Sequence, residues 1–153
     1  MINQDIQNFS NQLKELEIRH EIVEHEQFSD YKDFLFGISA TLADCCPILI
    51  MVADNNKVAI IKRGDCKLDF SKIKNLLGVK DLRLATKQEF TELTHLPVGA
   101  ARILIPGIKF LLDRKLFEKE YLYGGAGSFT VTFKYKSEDF KKIPDSVVCD
   151  ITE

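Results

Sequence analysis

The densest cluster of glycines in the chain, Gly124-Gly125-Ala126-Gly127-Ser128, lies between two stretches with the pattern of β-strands. Glycine has no Cβ, so such a segment lets a ligand approach the backbone and exposes N–H groups that can stabilise an oxyanion. The Ser128 hydroxyl adds a further polar group. We therefore predict catalytic roles for Gly127 and Ser128 and substrate-binding roles for Gly125 and Ala126. An ordinary turn between strands is the alternative interpretation of the same residues.

A second irregular segment of small residues, 96–101, lies between a predicted helix and a predicted strand. Small residues at such a position can form the wall of a substrate pocket. We predict that Gly99 contributes to catalysis and that Val98 and Ala100 line the pocket. His95, beside this segment, is interpreted as a polar boundary residue and not as a general base.

Four cysteines, at positions 45, 46, 66 and 149, form neither a C-x-x-C pair nor a set with histidines at zinc-finger spacing. Neighbouring cysteines such as Cys45 and Cys46 seldom form a disulfide with each other, because its geometry is strained. We interpret all four as free thiols in a reducing compartment. Cys45 and Cys46 precede an apolar run, which favours packed thiols, and a nucleophilic role would require a nearby base or cation.

Sequence motifs that bind common cofactors are missing. The chain has no Walker loop, no G-x-G-x-x-G after a first strand, no H-E-x-x-H and no G-x-S-x-G. His20 and His25 are five residues apart on or near one predicted strand, so their side chains should not reach one site. We therefore expect neither a cofactor nor a metal.

Charge is unevenly distributed, although the net charge of the whole chain is only −2. Residues 1–33 carry a net charge of −5, whereas residues 57–87 carry +6. Fixed cations release counterions from phosphates, so the basic segment is a candidate surface for a polyanion. The alternative is that its lysines cover the solvent-facing sides of strands and a helix.

The elements that position these residues belong to a chain of 153 residues, of which 45% are hydrophobic and 29% are charged. This length and composition predict one domain over residues 1–153 and exclude a disordered or collagen-like protein. The longest apolar run, 47–53, is far shorter than the roughly 20 residues that cross a bilayer. The first residues lack the basic and apolar regions of a signal peptide. We expect a cytoplasmic protein that has no membrane partner.

Apolar periodicity predicts helices and strands that are interleaved along the chain. Ile48–Ala53 and residues 57–62 are β-branched runs joined by residues 54–56, a pattern typical of a hairpin. Asp69 and Thr86 are predicted to cap the starts of two helices. Because hairpins alternate with single helices, we expect an α/β (α+β) fold. Its five or six strands should form a curved, mixed sheet surrounded by four or five helices.

Several short stretches of the chain, taken in order, resemble those of one family. They are Glu24-His25, Gly37-Ile38, the hairpin 48–62, Gly64-Asp65, Leu68-Asp69, Lys72 with Leu77-Gly78, Arg83-Leu84-Ala85-Thr86 with Glu89, Leu96-Pro97-Val98-Gly99, Asp113, Leu116, Gly125-Ala126-Gly127-Ser128 and Ser137-Glu138-Asp139-Phe140. Their order and spacing, from about residue 15 to residue 145, carry the resemblance. The chain is similar to the YbaK/aminoacyl-tRNA synthetase-associated domain family, which is related to the editing domain inserted in bacterial prolyl-tRNA synthetases.

This resemblance implies a YbaK-like fold, in which helices surround a curved mixed sheet and one pocket is present. Many members are freestanding trans-editing enzymes that hydrolyse a wrong amino acid from a charged tRNA, and some are known only as nucleotide-binding proteins. The resemblance implies that residues 125–128 and Gly99 are pocket walls. It also gives the basic segment 57–87 a partner, the tRNA backbone.

Two features depart from the family pattern. Active members carry a lysine, usually as Lys-Thr-Leu, at the entrance to the first hairpin strand, and the count back from Gly64-Asp65 puts Pro47 at that position. The family's Pro-Phe-Gly segment is also altered, since the nearest Pro-Gly pair is Pro106-Gly107. The family lysine would hold the ester end or the terminal ribose. Pro47 is thus a predicted binding residue, and Lys62 and Arg102 are the candidate replacements for the cation.

Three functions are compatible with this sequence. The leading hypothesis is hydrolysis of the ester of a misacylated tRNA; such an ester is activated, so backbone donors and a water can suffice. The second is a non-catalytic module that binds tRNA ends or nucleotides, and Pro47 favours it. The third is hydrolysis of another small acyl or nucleotide ligand through Cys45 or Cys46. The expected partner is tRNA or a nucleotide-like ligand and not DNA, while the amino acid and the oligomeric state stay open.

Overall fold

The computed structural model describes residues 2–28, 30–97 and 100–153. Within them the α-helices are α1 Gln4–Glu15, α2 Tyr31–Gly37, α3 Phe70–Leu77 and α4 Lys87–Thr94. The strands are β1 His20–Glu24, β2 Ile48–Ala53, β3 Asn56–Ile61, β4 Leu82–Leu84, β5 Lys109–Asp113, β6 Tyr121–Gly125, β7 Val131–Lys136 and β8 Ser146–Cys149. Short 3₁₀ helices are found at Leu42–Asp44, Arg114–Glu118 and Ser137–Lys142.

The strands form two sheets. The first is mixed and has the order β4-β2-β3-β5-β8, in which β2 is antiparallel to β3 and β4 while β5 is parallel to β3 and β8. The second is antiparallel, with the order β1-β7-β6. An isolated parallel bridge between Cys45 and Tyr123 joins the segment that leads into β2 to strand β6. This segment, residues 45–47, is called the entrance of β2. The predicted α/β (α+β) class is confirmed, but two sheets replace the expected single sheet and the described residues form more than six strands.

The β2–β3 hairpin is confirmed and is tied to the start of β4. Asp54 begins its turn with a φ of 53°, a left-handed conformation that Asp tolerates better than most residues. The Asp54 carboxylate accepts the backbone N–H groups of Lys80 and Asp81, at 3.2 and 3.0 Å. The turn therefore fixes both the register of the hairpin and the position of the neighbouring strand.

Two helix starts follow the predicted caps. The Asp69 side chain accepts the N–H of Lys72 at the start of α3, and α3 ends at Gly78 with a φ of 67°. Thr86 and Glu89 form a reciprocal capping box at the start of α4. These local signals set where the two helices begin, α3 before β4 and α4 after β4 in the chain. Helix α3 covers one face of the five-stranded sheet.

The core has two main layers, one on each side of β2 and β3. On one side, α1 packs against the three-stranded sheet, with the rings of Phe9 and Phe133 5.2 Å apart. On the other side, Ile73 of α3 packs against Met51 and Ile60. The central hairpin is therefore buried on both faces. The segment that leads into β2 is attached directly to this rigid hairpin. In the described part of the chain, every helix is too short or too polar to cross a bilayer.

Candidate functional site

A cavity of about 330 Å³ lies where the two sheets meet. It is lined by Leu42, Cys45, Cys46, Pro47, Ile48, Leu49, Gly64, Ala101, Tyr123, Gly124 and Gly125. These residues come from the entrance of β2, the loop after β3, the segment before β5, and β6. Their side chains carry no formal charge, and most are apolar. The volume and the lining are typical of a site for a small organic group.

Main-chain hydrogen bonds hold the walls of this cavity together. The N–H of Cys46 donates to the carbonyl of Tyr123 at 2.9 Å, and the N–H of Gly64 donates to the carbonyl of Cys45 at 2.9 Å. The thiol of Cys45 donates to the carbonyl of Leu42 at 3.1 Å, and that of Cys46 to the carbonyl of Tyr123 at 3.5 Å. The entrance of β2 is thus fixed to both the loop after β3 and strand β6.

Three of the lining residues have to be glycine for this packing. A Cβ on Gly125 would lie 2.5 Å from the carbonyl oxygen of Ala101, and one on Gly124 would lie 2.9 Å from the sulfur of Cys46. A Cβ on Gly64 would lie 2.6 Å from a carbonyl oxygen of the 3₁₀ helix before β2. Real Cβ atoms almost never make such close contacts, so a larger residue would push these walls apart. The main chain itself therefore forms much of the cavity surface.

The Gly125 wall is also supported from behind. The hydroxyl of Tyr135, a fully buried residue of β7, donates a hydrogen bond of 3.1 Å to the carbonyl of Gly125. This bond restricts rotation of the peptide that follows Gly125. A pre-organised peptide plane of this kind is what an oxyanion-binding wall requires.

The predicted site residues divide into those that line the cavity and those that do not. Pro47 and Gly125 belong to its lining. The lining does not include Ala100, Ala126, Gly127, Ser128, Lys62 or Arg102. Val98 and Gly99 lie outside the described residues.

Residues 126–128, the second half of the glycine cluster, follow the end of β6 and do not belong to the lining of this cavity. Ser128 accepts the N–H of Thr130 at 3.1 Å, and the two hydroxyl groups are 3.2 Å apart. Gly127 has a φ of 81°, and its missing Cβ leaves room for the guanidinium of Arg102. Ala126 is fully buried in the core. These contacts favour the alternative interpretation, an ordinary turn between strands, and the roles assigned to the three residues stay predictions.

The ammonium group of Lys62 is bound outside the cavity lining. Its ammonium donates to the carbonyls of Arg63 and Cys66, at 3.2 and 2.8 Å, in the loop that follows β3. Burial lowers the pKa of Lys62, and the nearby sulfur and carboxylate groups oppose that shift. The side chain is therefore held beside the cavity wall and does not line the cavity.

Arg102 is likewise bound elsewhere. Its guanidinium donates to the carbonyl of Ala126 at 2.9 Å and forms an ion pair with Asp5. It also lies over the ring of Phe9, 4.8 Å from the ring centre. Arg102 therefore fastens the Gly127 turn to α1, and its guanidinium is engaged outside the cavity lining.

The two cavity thiols are poor nucleophiles at neutral pH. Burial raises the pKa of Cys45 to about 11, and the smaller attraction of Lys62 does not offset it. Burial raises the pKa of Cys46 further. The thiolate is the reactive form, and no described lining residue is a base or cation that would stabilise it. The hypothesis of a cysteine nucleophile therefore lacks the environment that it needs.

Much of the basic segment is neutralised within the chain. In the part of the chain that the structure describes, its cations form five ion pairs, Arg63–Asp65, Arg63–Glu118, Lys67–Glu153, Lys72–Asp150 and Arg83–Glu89, with N–O distances from 2.6 to 3.6 Å. Among the described residues, Lys57, Lys74, Lys80 and Lys87 make no ion pair. Free cations for a polyanion are therefore fewer than the net charge of +6 implies.

The described residues also contain no cluster of three or more His, Cys, Asp or Glu side chains that is suited to a metal ion.

Sequence reasoning missed several cavity residues, above all Leu42 and Tyr123, whereas Ala101 belongs to the segment 96–101 that was predicted as a pocket wall. These residues have no chemistry of their own, and only the pairing of β6 with the entrance of β2 brings them together. Gly64 and Gly124 did carry a signal, since the first belongs to the Gly64-Asp65 motif and the second to the glycine cluster.

Comparison with known proteins identifies the family. The aminoacyl-tRNA editing domain matches residues 25–143. The chain is 41% identical over 80 residues to the proline–tRNA ligase of Solidesulfovibrio magneticus and 38% identical over 92 residues to that of Nitratidesulfovibrio vulgaris. These matches cover 52% and 60% of this chain but only 14% and 15% of the ligases.

A solved structure has the same fold over almost its whole length. The crystal structure of a proposed trans-editing enzyme for prolyl-tRNA synthetase superposes with a TM-score of 0.85, at 19% identity, and covers 100% of this chain and 99% of that one. This likeness shows the fold, while the match over residues 25–143 covers well over half of the chain and shows the family. The chain therefore belongs to the aminoacyl-tRNA editing domain family.

Proposed function

We propose that this chain hydrolyses the ester bond of a misacylated tRNA, as a trans-editing aminoacyl-tRNA deacylase. The observation that carries the proposal is the uncharged cavity of about 330 Å³ whose wall is the main chain of Gly64, Gly124 and Gly125. Family membership supplies the class of substrate. The proposal treats residues 1–153 as one domain and implies the cytoplasm, where tRNA is aminoacylated.

The cavity determines how an aminoacyl ester would enter. Its described lining has no carboxylate, so the α-ammonium group of the ester has to stay at the mouth, in contact with water. The amino acid side chain then enters the apolar interior beside Cys45, Cys46 and Ile48. Both the polarity and the size of that side chain become criteria for selection, with about 1–3 kcal/mol of discrimination for each methylene.

The chemistry that this site has to provide is modest. A water attacks the ester carbonyl, the carbonyl oxygen gains negative charge, and the bond to the ribose oxygen breaks as that oxygen takes a proton. Each backbone N–H donor directed at the developing oxyanion is worth about 2.7–4 kcal/mol in other enzymes. The peptide that follows Gly125 supports this role because the Tyr135 hydroxyl holds its orientation, whereas the N–H of Gly64 already donates to the carbonyl of Cys45. No acid–base pair from the protein is required for an activated ester.

A deacylation panel tests the proposal. The purified chain is incubated with tRNAs that carry different labelled amino acids, and the loss of label is compared with the spontaneous rate. We expect acceleration for at least one tRNA that carries a small amino acid. Gly37→Ala is the matched control for substitutions in the glycine wall, because a Cβ at Gly37 meets nothing within 4 Å. Spontaneous rates across the whole panel would contradict the proposal.

A second candidate function is non-catalytic binding of tRNA ends. It is favoured by Pro47, which lines the cavity at the position of the family lysine. In that case tRNA binding weakens with salt, but no tRNA is deacylated. Neutralising Lys57, Lys74, Lys80 and Lys87 should reduce the salt dependence more than neutralising Lys62, Arg63 and Lys67, since the latter are bound within the chain.

A further inference from the structure

An exposed tyrosine lies one step along β6 from the cavity. Tyr123 lines the cavity, and Tyr121, two residues earlier on the same face of the strand, is 43% exposed. Two residues of a strand span about 7 Å, which is close to the length of one extended nucleotide. A ligand whose terminal ribose lies at the mouth of the cavity would therefore bring the preceding nucleotide over Tyr121.

Two lysines of the neighbouring strand surround this tyrosine. In the β6–β7 ladder, Lys136 is opposite Tyr121 and Lys134 is opposite Tyr123. The ammonium groups of Lys134 and Lys136 are each 4.8 Å from the centre of the Tyr121 ring, and that of Lys134 is 5.9 Å from the Tyr123 ring. Aromatic rings and cations thus alternate across an open part of the three-stranded sheet.

Only one of the two lysines is free to bind an anion. Lys136 pairs with Glu120 at 2.6 Å, whereas Lys134 makes no ion pair with any described residue. Glu21 is opposite Lys134 on β1 but forms no ion pair with it. The flexible side chain of Lys134 can therefore leave the ring for a phosphate without breaking a salt bridge.

We propose that Tyr121 and Lys134 form a docking platform for the single-stranded 3′ end of tRNA, in which the penultimate base stacks on Tyr121 and its phosphate pairs with Lys134. The proposal rests on the proposed function, since it assumes that the aminoacyl group fills the cavity and the terminal ribose lies at its mouth. Stacking on an exposed ring favours single-stranded RNA, because bases in a duplex are already stacked on each other and are not accessible to a flat sheet.

A binding measurement with two uncharged RNA hairpins tests this platform. One hairpin carries a single-stranded CCA overhang on an acceptor-stem duplex, and the other is the same duplex with a blunt end. We expect Tyr121→Ala to weaken binding of the overhang hairpin about tenfold and Tyr121→Phe to leave it unchanged, since stacking needs the ring and not the hydroxyl. Binding of the blunt hairpin should not change with either variant.

A second variant and a control separate stacking from a general loss of structure. Lys134→Gln should reduce the slope of log Kd against log salt by about 0.7 for the overhang hairpin, as expected for one lost phosphate contact with a single strand. Phe70→Ala removes a ring of similar exposure, 40%, at the start of α3 and should have no effect.

The outcomes distinguish this proposal from the proposed function. If the chain deacylates a tRNA but Tyr121→Ala binds the overhang hairpin normally, the platform is wrong and the deacylase stands. If no tRNA is deacylated but binding of the overhang hairpin depends on Tyr121, the platform stands and the deacylase is wrong. An equal loss of binding for both hairpins would overturn the platform, because it would point to contacts with the duplex.

Discussion

The two halves of the glycine cluster, residues 124–125 and residues 126–128, differ in almost every respect despite being adjacent in the chain. The first half ends strand β6, lines the cavity and packs directly against the main chain of Ala101. In the second half Ala126 enters the core, while Gly127 and Ser128 are half-buried and are fastened by Arg102 and Thr130. In the first half, glycine lets the main chain of another segment approach closely. In the second half, glycine allows the left-handed backbone of Gly127.

This difference shows that composition identifies a functional segment more readily than it identifies the functional residues within it. All five residues are small, so each of them allows a ligand to approach. What separates them is the end of the β6 ladder at Gly125, because only the residues still paired with β7 face the cavity. Each experiment below tests whether the chemistry belongs to the first half alone.

The largest effect is expected from valine substitutions in the two halves. Gly125→Val should lower the deacylation rate roughly a thousandfold, because the side chain would displace the wall to which we assign stabilisation of the oxyanion. Gly127→Val should lower the free energy of unfolding by about 1–3 kcal/mol through backbone strain at positive φ, while the folded protein stays active. Single-turnover deacylation and urea unfolding measure the two effects. A folded but inactive Gly127→Val variant would return the catalytic role to the second half.

The next effect concerns the thiols that face the first half. Because the pKa of Cys45 is about 11, iodoacetamide at pH 7.5 should modify it about a hundred times more slowly than a free cysteine. Peptide mapping by mass spectrometry measures the rate, with the more exposed Cys66 as an internal reference. Rapid modification of Cys45, or loss of deacylation in Cys45→Ser, would revive the hypothesis of a cysteine nucleophile.

A smaller effect is expected when the family cation is restored. Pro47→Lys places an ammonium group at the entrance of β2, where Pro47 is only partly buried and lines the cavity. We expect kcat/KM for deacylation to rise about tenfold, the usual value of one hydrogen bond to a charged group. Pro47→Met is the control for chain length without charge. Equal rates for both variants would show that the first half works without a cation.

The smallest effect on the site is expected from a remote ion pair. The buried carboxylate of Asp139 accepts three N–H donors from Arg19 at 2.8–3.1 Å, and these bonds hold its pKa well below the ordinary range. Asp139→Asn should lower the free energy of unfolding by about 2 kcal/mol and leave deacylation by the folded protein unchanged.

This ion pair also gives a pH dependence of known sign. A lowered pKa in the folded state means that the stabilisation is complete above the unfolded pKa of about 3.9 and is lost as the pH falls further. The wild-type protein should therefore lose stability below about pH 4 more steeply than Asp139→Asn. Urea unfolding between pH 3 and pH 7 measures the difference, and parallel curves would contradict it.

The parts of the fold that follow from local sequence were predicted well. The β2–β3 hairpin and the caps at Asp69 and Thr86 depend on residues a few positions apart, so the sequence pattern contains them directly. Strand β8 was not predicted, because its four residues become a strand only by pairing with β5, about 36 positions earlier. The division into two sheets depends on similar long-range pairing.

The site was predicted only in part, for a related reason. The glycine cluster and Pro47 carried a signal in the sequence, whereas the cations assigned to the site did not reach it. Lys62 binds backbone carbonyls a few residues away, and Arg102 binds Asp5, 97 positions earlier. Sequence shows that a charge is present, but only the folded chain shows which partner already holds it.

The cavity is assembled from segments that lie between residue 42 and residue 125, so none of it exists until the whole chain has folded. Any molecule that fills it must therefore favour the native state over the denatured ensemble. At a concentration 100 times its dissociation constant, such a molecule raises the free energy of unfolding by about 2.7 kcal/mol. Non-hydrolysable aminoacyl-adenosine analogues with different side chains can thus be ranked by thermal shift, and this ranking reports amino acid preference independently of turnover.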